Sequence, residues 1–343
     1  MKNARANGPM NSLEKLLDMV SLTPLGALVM ILLALLPLIP PFTQEYLIRW
    51  LVVGALLAAQ AIAFDFTAGY INIVNFGFSA FAGLGGYTSA LLAINLGLSP
   101  WIGMFAGALA AAVLGFFTGV LTLRLRGIFA AVMTWFIGLA LMGLATKMVF
   151  LTRGALSLRC PRLLETSSNV PYFYIILFML VITYCVSKRV TRSQVGLAFK
   201  AIGQNMEAAR TSGINPARYR IINFTLSCAF AGWLGGFYAH YYGILTPDVM
   251  HTSKTVEVLA VAYIGGRGSL WGGAFTAFPF VYAMEMIRSS LSNLPGLNLL
   301  IYGLFLILIM IYYPGGIAQL YRSYLVRSRN QTIRLLIRSS PTG

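Results

Sequence analysis

"PWIGMFAGALAAAVLGFFTGVLTL", from Pro100 to Leu123, carries no charged residue over a length that, wound as a helix, crosses a hydrocarbon core of roughly 30 Å. Its small residues, glycine and alanine above all, suit close contact between helices inside a bilayer. Comparable apolar runs recur on both sides of it. They span about Leu22 to Phe42, Tyr46 to Phe64, Phe66 to Ile94, Ile128 to Leu151, Tyr172 to Val186, Ile221 to Tyr242, a short "VEVLAVAYIGG", Leu270 to Ile287, and Leu299 to Tyr313. The pattern predicts an all-α polytopic membrane protein of about ten transmembrane helices. Segments of alternating polarity, which a membrane barrel requires, are not found.

Composition agrees. Of 343 residues, 58% are hydrophobic and 10% charged, and the mean hydropathy is +0.77. The net charge of +16 comes from 25 basic against 9 acidic residues, gathered between apolar runs and at the C-terminal tail. That placement fits cytoplasmic loops facing anionic lipid and gives no reason to invoke nucleic acid. Alternation from the basic loop after Val186 puts both termini inside; only the segment with Arg153, Arg159 and Arg162 offends, by facing out. Residues 1–20 read as a cytoplasmic segment without a cleavable signal, with "NSLEKLLDMV" as a short interfacial helix. Residues 21–317 read as the transmembrane domain, with 188–219 as its cytoplasmic loop, and residues 318–343 as a basic cytoplasmic tail.

Two runs look broken. "GYINIVNFGFSAFAGLGGYTSALL" and "YIGGRGSLWGGAFTAFPFVY" each join a glycine-containing turn to a small-residue helix. Irregular backbone at membrane depth is tolerated where protein buries it or where it lines a wet cavity. Paired interruptions in two halves of a chain point to a translocation path. Asn72, Asn75, Gly77 and Tyr87 on the first, and Gly265, Gly266, Gly268 and Ser269 on the second, are the candidates for lining or gating it. The alternative is that these small residues serve helix packing alone.

Catalysis finds little footing. His240 and His251 have no metal-ligand partner at a helical offset and are expected to cap helices or face the outer interface. Cys160, Cys185 and Cys228 show no metal or redox spacing. The glycine cluster around Gly268 lacks the Gly-Lys-Ser/Thr ending of a nucleotide loop, so ATP, if used, is hydrolysed by a partner. Asp65, Glu257 and Glu285 are the acids available to an ion relay; their places near span ends, and Arg288 three residues from Glu285, favour snorkelling or structural pairing.

The basic loop is the best-marked element. It reads as two short helices, "SQVGLAFKAI" and "QNMEAARTSG", the second with Asn205 as N-cap, Glu207 at the positive helix end and Gly213 as the left-handed residue that closes it. Asn215 and Pro216 open the next helix. Ala208 and Ala209 give a flat face edged by Met206 and Ile214, shaped for a groove on another protein. Lys200, Arg210, Arg218 and Arg220 equally suit an amphipathic loop lying on lipid. The residues alone leave both readings open.

Five blocks in order carry a resemblance: the first broken segment, "LRLRGIFAAVMTWFIG", the stretch from Gly196 to Gly243, "IGGRGSLWGG" and "YYPGGI". Over about Ala58 to Ile317 the chain resembles the LivM-type permeases of bacterial ATP-binding-cassette importers, which handle branched-chain amino acids and relatives such as urea and short amides. The resemblance implies an inner-membrane permease subunit with no cofactor of its own, ATP and magnesium being held by cytoplasmic ATP-binding subunits. It implies a second, different permease subunit and a periplasmic solute-binding protein. Asn205, Glu207, Ala208, Ala209, Gly213 and Ile214 then match the region that presents a coupling helix to the ATPase. Asn72, Asn75 and Phe78, and the outer "TRGALSLRCPRL", depart from the family's usual pattern, which leaves an atypical solute open. The Arg153, Arg159 and Arg162 trio is either an ordinary exposed loop or a contact for an acidic lobe of the binding protein. The rival reading is an autonomous secondary transporter or channel, and a more distant one a membrane scaffold.

Overall fold

The computed structural model describes residues 33–38, 44–125, 127–166, 168–290, 297–312 and 316. The expected N-terminal segment, most of the first apolar run and the basic tail lie outside them. The described residues form twelve helices: α1 Glu45–Ala68, α2 Phe78–Leu96, α3 Pro100–Thr122, α4 Ile128–Lys147, α5 Val149–Thr152, α6 Val170–Arg192, α7 Gln194–Gln204, α8 Met206–Thr211, α9 Pro216–Tyr242, α10 Thr252–Gly265, α11 Trp271–Ser290 and α12 Leu297–Tyr312. Two short strands, β1 Leu158–Arg159 and β2 Ile244–Leu245, pair antiparallel, with Leu158 opposite Leu245. They mark one end of the bundle; α7 and α8 mark the other.

Five helices, α1, α3, α4, α6 and α9, are each long and apolar enough to cross a membrane. The all-α membrane body is as expected, but a count of ten crossings is not established by them. The eighth run is short as read: α10 has 14 residues, about 21 Å at 1.5 Å per residue, less than a bilayer core. The fifth run is divided, because Met148 leaves the helical region (φ −77°, ψ 58°) and separates α4 from the single turn α5.

Helix α1 is the hub. Sixteen of its 24 residues are buried, and it packs on α6, α9, α10 and α11. Around α9 the contacts are close: a methyl group on Gly85 of α2 would collide with the Gly232 backbone of α9, and one on Gly232 with the Gly107 carbonyl of α3. Three helices therefore meet at backbone-to-backbone range, and here the small residues serve packing. Asn215 caps α9, accepting from the N–H groups of Ala217 and Arg218 at 3.0 and 3.3 Å, with Pro216 in the first turn as expected.

Two polar residues sit otherwise than expected. His240 is not at an outer interface: it is fully buried, its Nε2 2.7 Å from Ser89 Oγ and its Nδ1 2.7 Å from the Pro161 carbonyl. Both ring nitrogens are thereby satisfied, and α9, α2 and the loop before α6 are pinned together. His251 does cap a helix, accepting from Ser253 N at 3.2 Å at the start of α10. Arg220, grouped with the lipid-facing basic residues, is 4% exposed; its Nη2 donates to the carbonyls of Thr122 and Leu125 at 2.7 and 3.2 Å. The Thr122 carbonyl ends α3 and also accepts from the N–H of Leu125 at 3.0 Å, so the guanidinium adds a charged donor to the turn that follows the helix.

Candidate translocation cavity and coupling surface

At the β1–β2 end, α1, α2, α9, α10 and α11 enclose a cavity of about 530 Å³. One wall is aromatic. Tyr46 and Trp50 of α1 stand 4.3 Å apart by ring centroids, and Trp50 meets Tyr282 of α11 edge-on at 5.3 Å. Tyr238 and Tyr242, 4.5 Å apart, form the α9 wall. Val53, Leu56 and Leu57 run down α1 to Gln60, and Ser79 lies on the α2 side. Charge gathers at the mouth, where Arg49 and Glu285 line the cavity beside Lys254, which donates to both oxygens of Glu257 at 2.9 and 3.1 Å. That pair is half exposed and contributes little stability; it places one cation and one anion on the wall.

Toward the α7–α8 end the same helices are clasped shut. Asp65, 4% exposed near the end of α1, accepts from the backbone N–H groups of Gly268 at 2.8 Å and Leu270 at 3.4 Å. Tyr70 OH donates to the Gly268 carbonyl at 3.2 Å. Arg267 Nη2 donates to the Ala68 carbonyl at 3.3 Å and to Asn72 Oδ1, while its guanidinium lies 5.2 Å from the Tyr263 ring centroid. The two broken segments thus meet, and their carboxylate and carbonyl groups satisfy backbone that no helix could satisfy at that depth. Asn72 and Leu270 both hold positive φ, 64° and 54°, a conformation non-glycine residues adopt only where the surroundings enforce it. Gly266 and Gly268 (φ 105° and 71°) make the rest of the turn.

The sequence-predicted path residues divide into three groups. Asn72, Gly265, Gly266, Gly268 and Ser269 belong to or flank this clasp: Gly265 backs on Gly272, and Ser269 Oγ accepts from Gly272 N at 3.1 Å to cap α11. Asn75 and Gly77 knit the start of α2 to its neighbours. Asn75 Oδ1 accepts from Gly77 N at 3.1 Å, Asn75 Nδ2 reaches Cys228 Sγ at 3.9 Å, and Gly77 backs on the Thr134 carbonyl. Tyr87 is buried with Leu158, Cys160, Leu245 and Met250 under the strand pair. None of the eight lines the 530 Å³ cavity. The residues that do, Arg49, Gln60, Tyr238, Lys254, Glu257 and Glu285 among them, went unmarked as path residues. The available signal was the recurrence of polar side chains at Arg49 and Gln60 in the otherwise apolar stretch 46–64 of α1, and of Lys254 with Glu257 one turn apart on the short α10.

The six loop residues assemble into one element. Asn205 Oδ1 accepts from Glu207 N and Ala208 N at 3.0 and 3.1 Å, as an N-cap does. Gly213 follows α8 with φ 81°, and the N–H of Ile214 returns to the Ala209 carbonyl at 3.0 Å. The two alanines part company: Ala209 is buried in the core, whereas Glu207, Ala208, Arg210 and Thr211 face outward. The preceding α7 rests on the clasp, for Gly203 backs directly on the Tyr70 carbonyl and Lys200 Nζ lies 5.7 Å from the Tyr70 ring centroid.

A buried helical hub, spans of membrane length and a cavity open at one end and clasped at the other define a multi-pass, all-α membrane protein of the permease kind. The chain belongs to the family of branched-chain amino acid transport system permease components, whose model matches residues 46–310. It is 29% identical over 162 residues to LivM, the high-affinity branched-chain amino acid transport system permease protein of Escherichia coli (strain K12). That stretch covers 47% of this chain and 37% of LivM. It is 25% identical over 300 residues to BraD of Pseudomonas aeruginosa, covering 80% of this chain and 94% of BraD. It is 22% identical over 287 residues to LivH of Salmonella typhimurium, covering 77% and 91%. No solved structure matches at a significant level.

Proposed function

We propose that the chain is a catalytically silent permease subunit of an ATP-binding-cassette importer in a bacterial inner membrane, with the α7–α8 end in the cytoplasm. The solute is a branched-chain amino acid or a related amino acid, amide or urea. The cavity is the outward-open part of the path, and the Asp65–Gly268 clasp is its inner closure. Asn72, Gly265, Gly266, Gly268 and Ser269 gate the path at that closure, while Asn75, Gly77 and Tyr87 hold the helices around it. The solute arrives from a periplasmic binding protein; a second permease subunit completes the path; cytoplasmic subunits hold ATP and magnesium.

One observation carries this reading: α7 rests on Tyr70, and Tyr70 is hydrogen-bonded to the α10–α11 turn that closes the cavity. A push on α8 therefore reaches the closure through two contacts, and a two-state packing there couples ATP-driven docking to inward opening. Asn205 and Gly213 fix α8 as a rigid knob, Glu207 and Ala208 present it, and Ala209 and Ile214 anchor it.

The test is ATP-driven uptake by the reconstituted complex, together with copurification of the ATPase. Uptake that requires ATP and is lost with Ala208→Arg supports the proposal. Uptake by this chain alone, driven by an ion gradient, replaces it with a secondary transporter.

A further inference from the structure

We infer that Arg49 is a specificity-determining residue that receives the carboxylate of the solute, so that the membrane subunit itself prefers an aliphatic monocarboxylate over its amide or urea. This rests on the cavity being the outward part of a solute path. Arg49 stands one turn into α1 at the cavity mouth, exposed, and lines the same cavity as Tyr242 of α9. Among the described residues no carboxylate lies within ion-pair distance of it, whereas the other cation on the wall, Lys254, is already bonded to both oxygens of Glu257. The cavity therefore offers one uncommitted guanidinium, and its planar fork matches a carboxylate better than any neutral group.

An arginine near a helix end could be explained by snorkelling to the interface. Two features go beyond that. The guanidinium belongs to the cavity wall itself, which it shares with Tyr242 on the facing helix. Below it, Val53, Leu56 and Leu57 of α1 face Val258 of α10 and Val281 of α11, an apolar cleft that takes a short branched side chain. Glu285 stands on the α11 wall, where it suits an ammonium and opposes a second carboxylate, while Glu257 is taken up by Lys254. The chemistry recognised is thus one carboxylate, one amine and an aliphatic remainder.

The experiment uses the assembled complex with the three cysteines of this chain replaced by serine and Val53→Cys as a reporter within the cavity. Modification by a water-soluble methanethiosulfonate is timed with leucine, leucinamide or isocaproate present. Leucine and isocaproate are expected to slow labelling at concentrations roughly tenfold or more below those leucinamide needs, the factor a charge-assisted hydrogen bond supplies. Arg49→Gln should abolish the difference and Arg49→Lys should keep part of it. If Arg49→Gln does not assemble with the ATPase, Arg49→Lys, which keeps the charge and loses the planar fork, must narrow the difference instead. Equal protection by leucine and leucinamide in the parent, or a difference that survives in Arg49→Gln or, where that variant does not assemble, stays undiminished in Arg49→Lys, overturns the assignment. Protection without ATP-driven uptake would leave Arg49 standing and sink the importer; uptake without discrimination would do the reverse.

Discussion

The Asp65 carboxylate, deep in α1, accepts the backbone N–H of Gly268 at 2.8 Å, across 203 positions of sequence. The bond ties the two halves of the chain directly, and the carboxylate is buried inside the bundle, 4% exposed. Removing the acceptor leaves the N–H groups of Gly268 and Leu270 unsatisfied. Asp65→Ala is therefore expected to lose roughly 1–3 kcal/mol of stability, read as a lower Tm in detergent. Asp65→Asn, which keeps one carbonyl oxygen, should lose less. Identical melting of Asp65→Ala and the parent would show that the clasp contributes nothing to the fold.

The clasp also has to open if it is an inner closure. Asn72 and Arg267 meet across it through the full reach of the arginine, so a cysteine at each position should be joined by a short bifunctional methanethiosulfonate that spans the lost side chain. The cross-linked complex is expected to retain its ATPase partner and lose uptake, with uptake restored by dithiothreitol. Full uptake with the bond intact would place the moving closure elsewhere.

Neighbouring alanines of α8 should behave oppositely. Ala208 faces outward and Ala209 is 4% exposed. Ala208→Arg changes stability by no more than about 0.5 kcal/mol, as exposed substitutions do, and lowers ATPase retention at least roughly tenfold, a loss of about 1.4 kcal/mol in binding. Ala209→Arg buries a charge and lowers Tm itself. Retention of the ATPase by Ala208→Arg would mean that this face of α8 is not the docking surface.

That contrast shows where sequence reading succeeded and where it stopped. The loop helix was legible because its signals are local: Asn205 bonds the N–H groups two and three residues on, and Gly213 needs only its own φ. Which alanine faces the core depends on what packs against α8, and two adjacent alanines carry no mark of it. The broken segments were legible for the same local reason, through their glycines. Their meeting at Asp65 was not, since hydrogen bonds from Gly268 and Leu270 have no signature at a separation of two hundred residues. The cavity was hidden for a further reason: its polar residues are dispersed singly over α1, α9, α10 and α11, and only the fold gathers them. Arg220 and His240 were misjudged because a charged or polar type is usually exposed, and only a partner such as the Thr122 carbonyl or Ser89 makes burial tolerable.

Cys160 offers a check on the loop before α6, which lies beyond the spans. Burial beside β1 pushes its thiol up to about 11 from an ordinary value near 9. The thiolate is the reactive form, so at pH 8 Cys160 should react with N-ethylmaleimide far more slowly in the native protein than in urea. The sign of the linkage follows. The folded chain holds the proton more tightly, so the stabilisation is complete below the unfolded value and is lost as pH rises between about 9 and about 11. Rapid native labelling at Cys160 would show that the β1–β2 cover is open in solution.

Arg220 tests the packing of α9 on α3. Its guanidinium reaches two carbonyls at the end of α3 from a position 4% exposed. Truncation to alanine removes the donors, leaves the Thr122 carbonyl buried without one of them and opens a cavity, three effects of the same sign. Arg220→Ala is expected to cost roughly 3 kcal/mol or more, the usual consequence of breaking a buried charged contact. Arg220→Lys keeps a charged donor on a shorter, more strongly hydrated side chain, whereas a single guanidinium nitrogen, Nη2, donates to both carbonyls, so that variant should recover part of the loss. If Arg220→Ala melts with the parent, and Arg220→Lys gains nothing over it, the contact between the α9 arginine and the α3 terminus carries no stability, and α3 and α9 are held by their close packing elsewhere, Gly107 against Gly232 and Gly115 against Cys228 among the contacts.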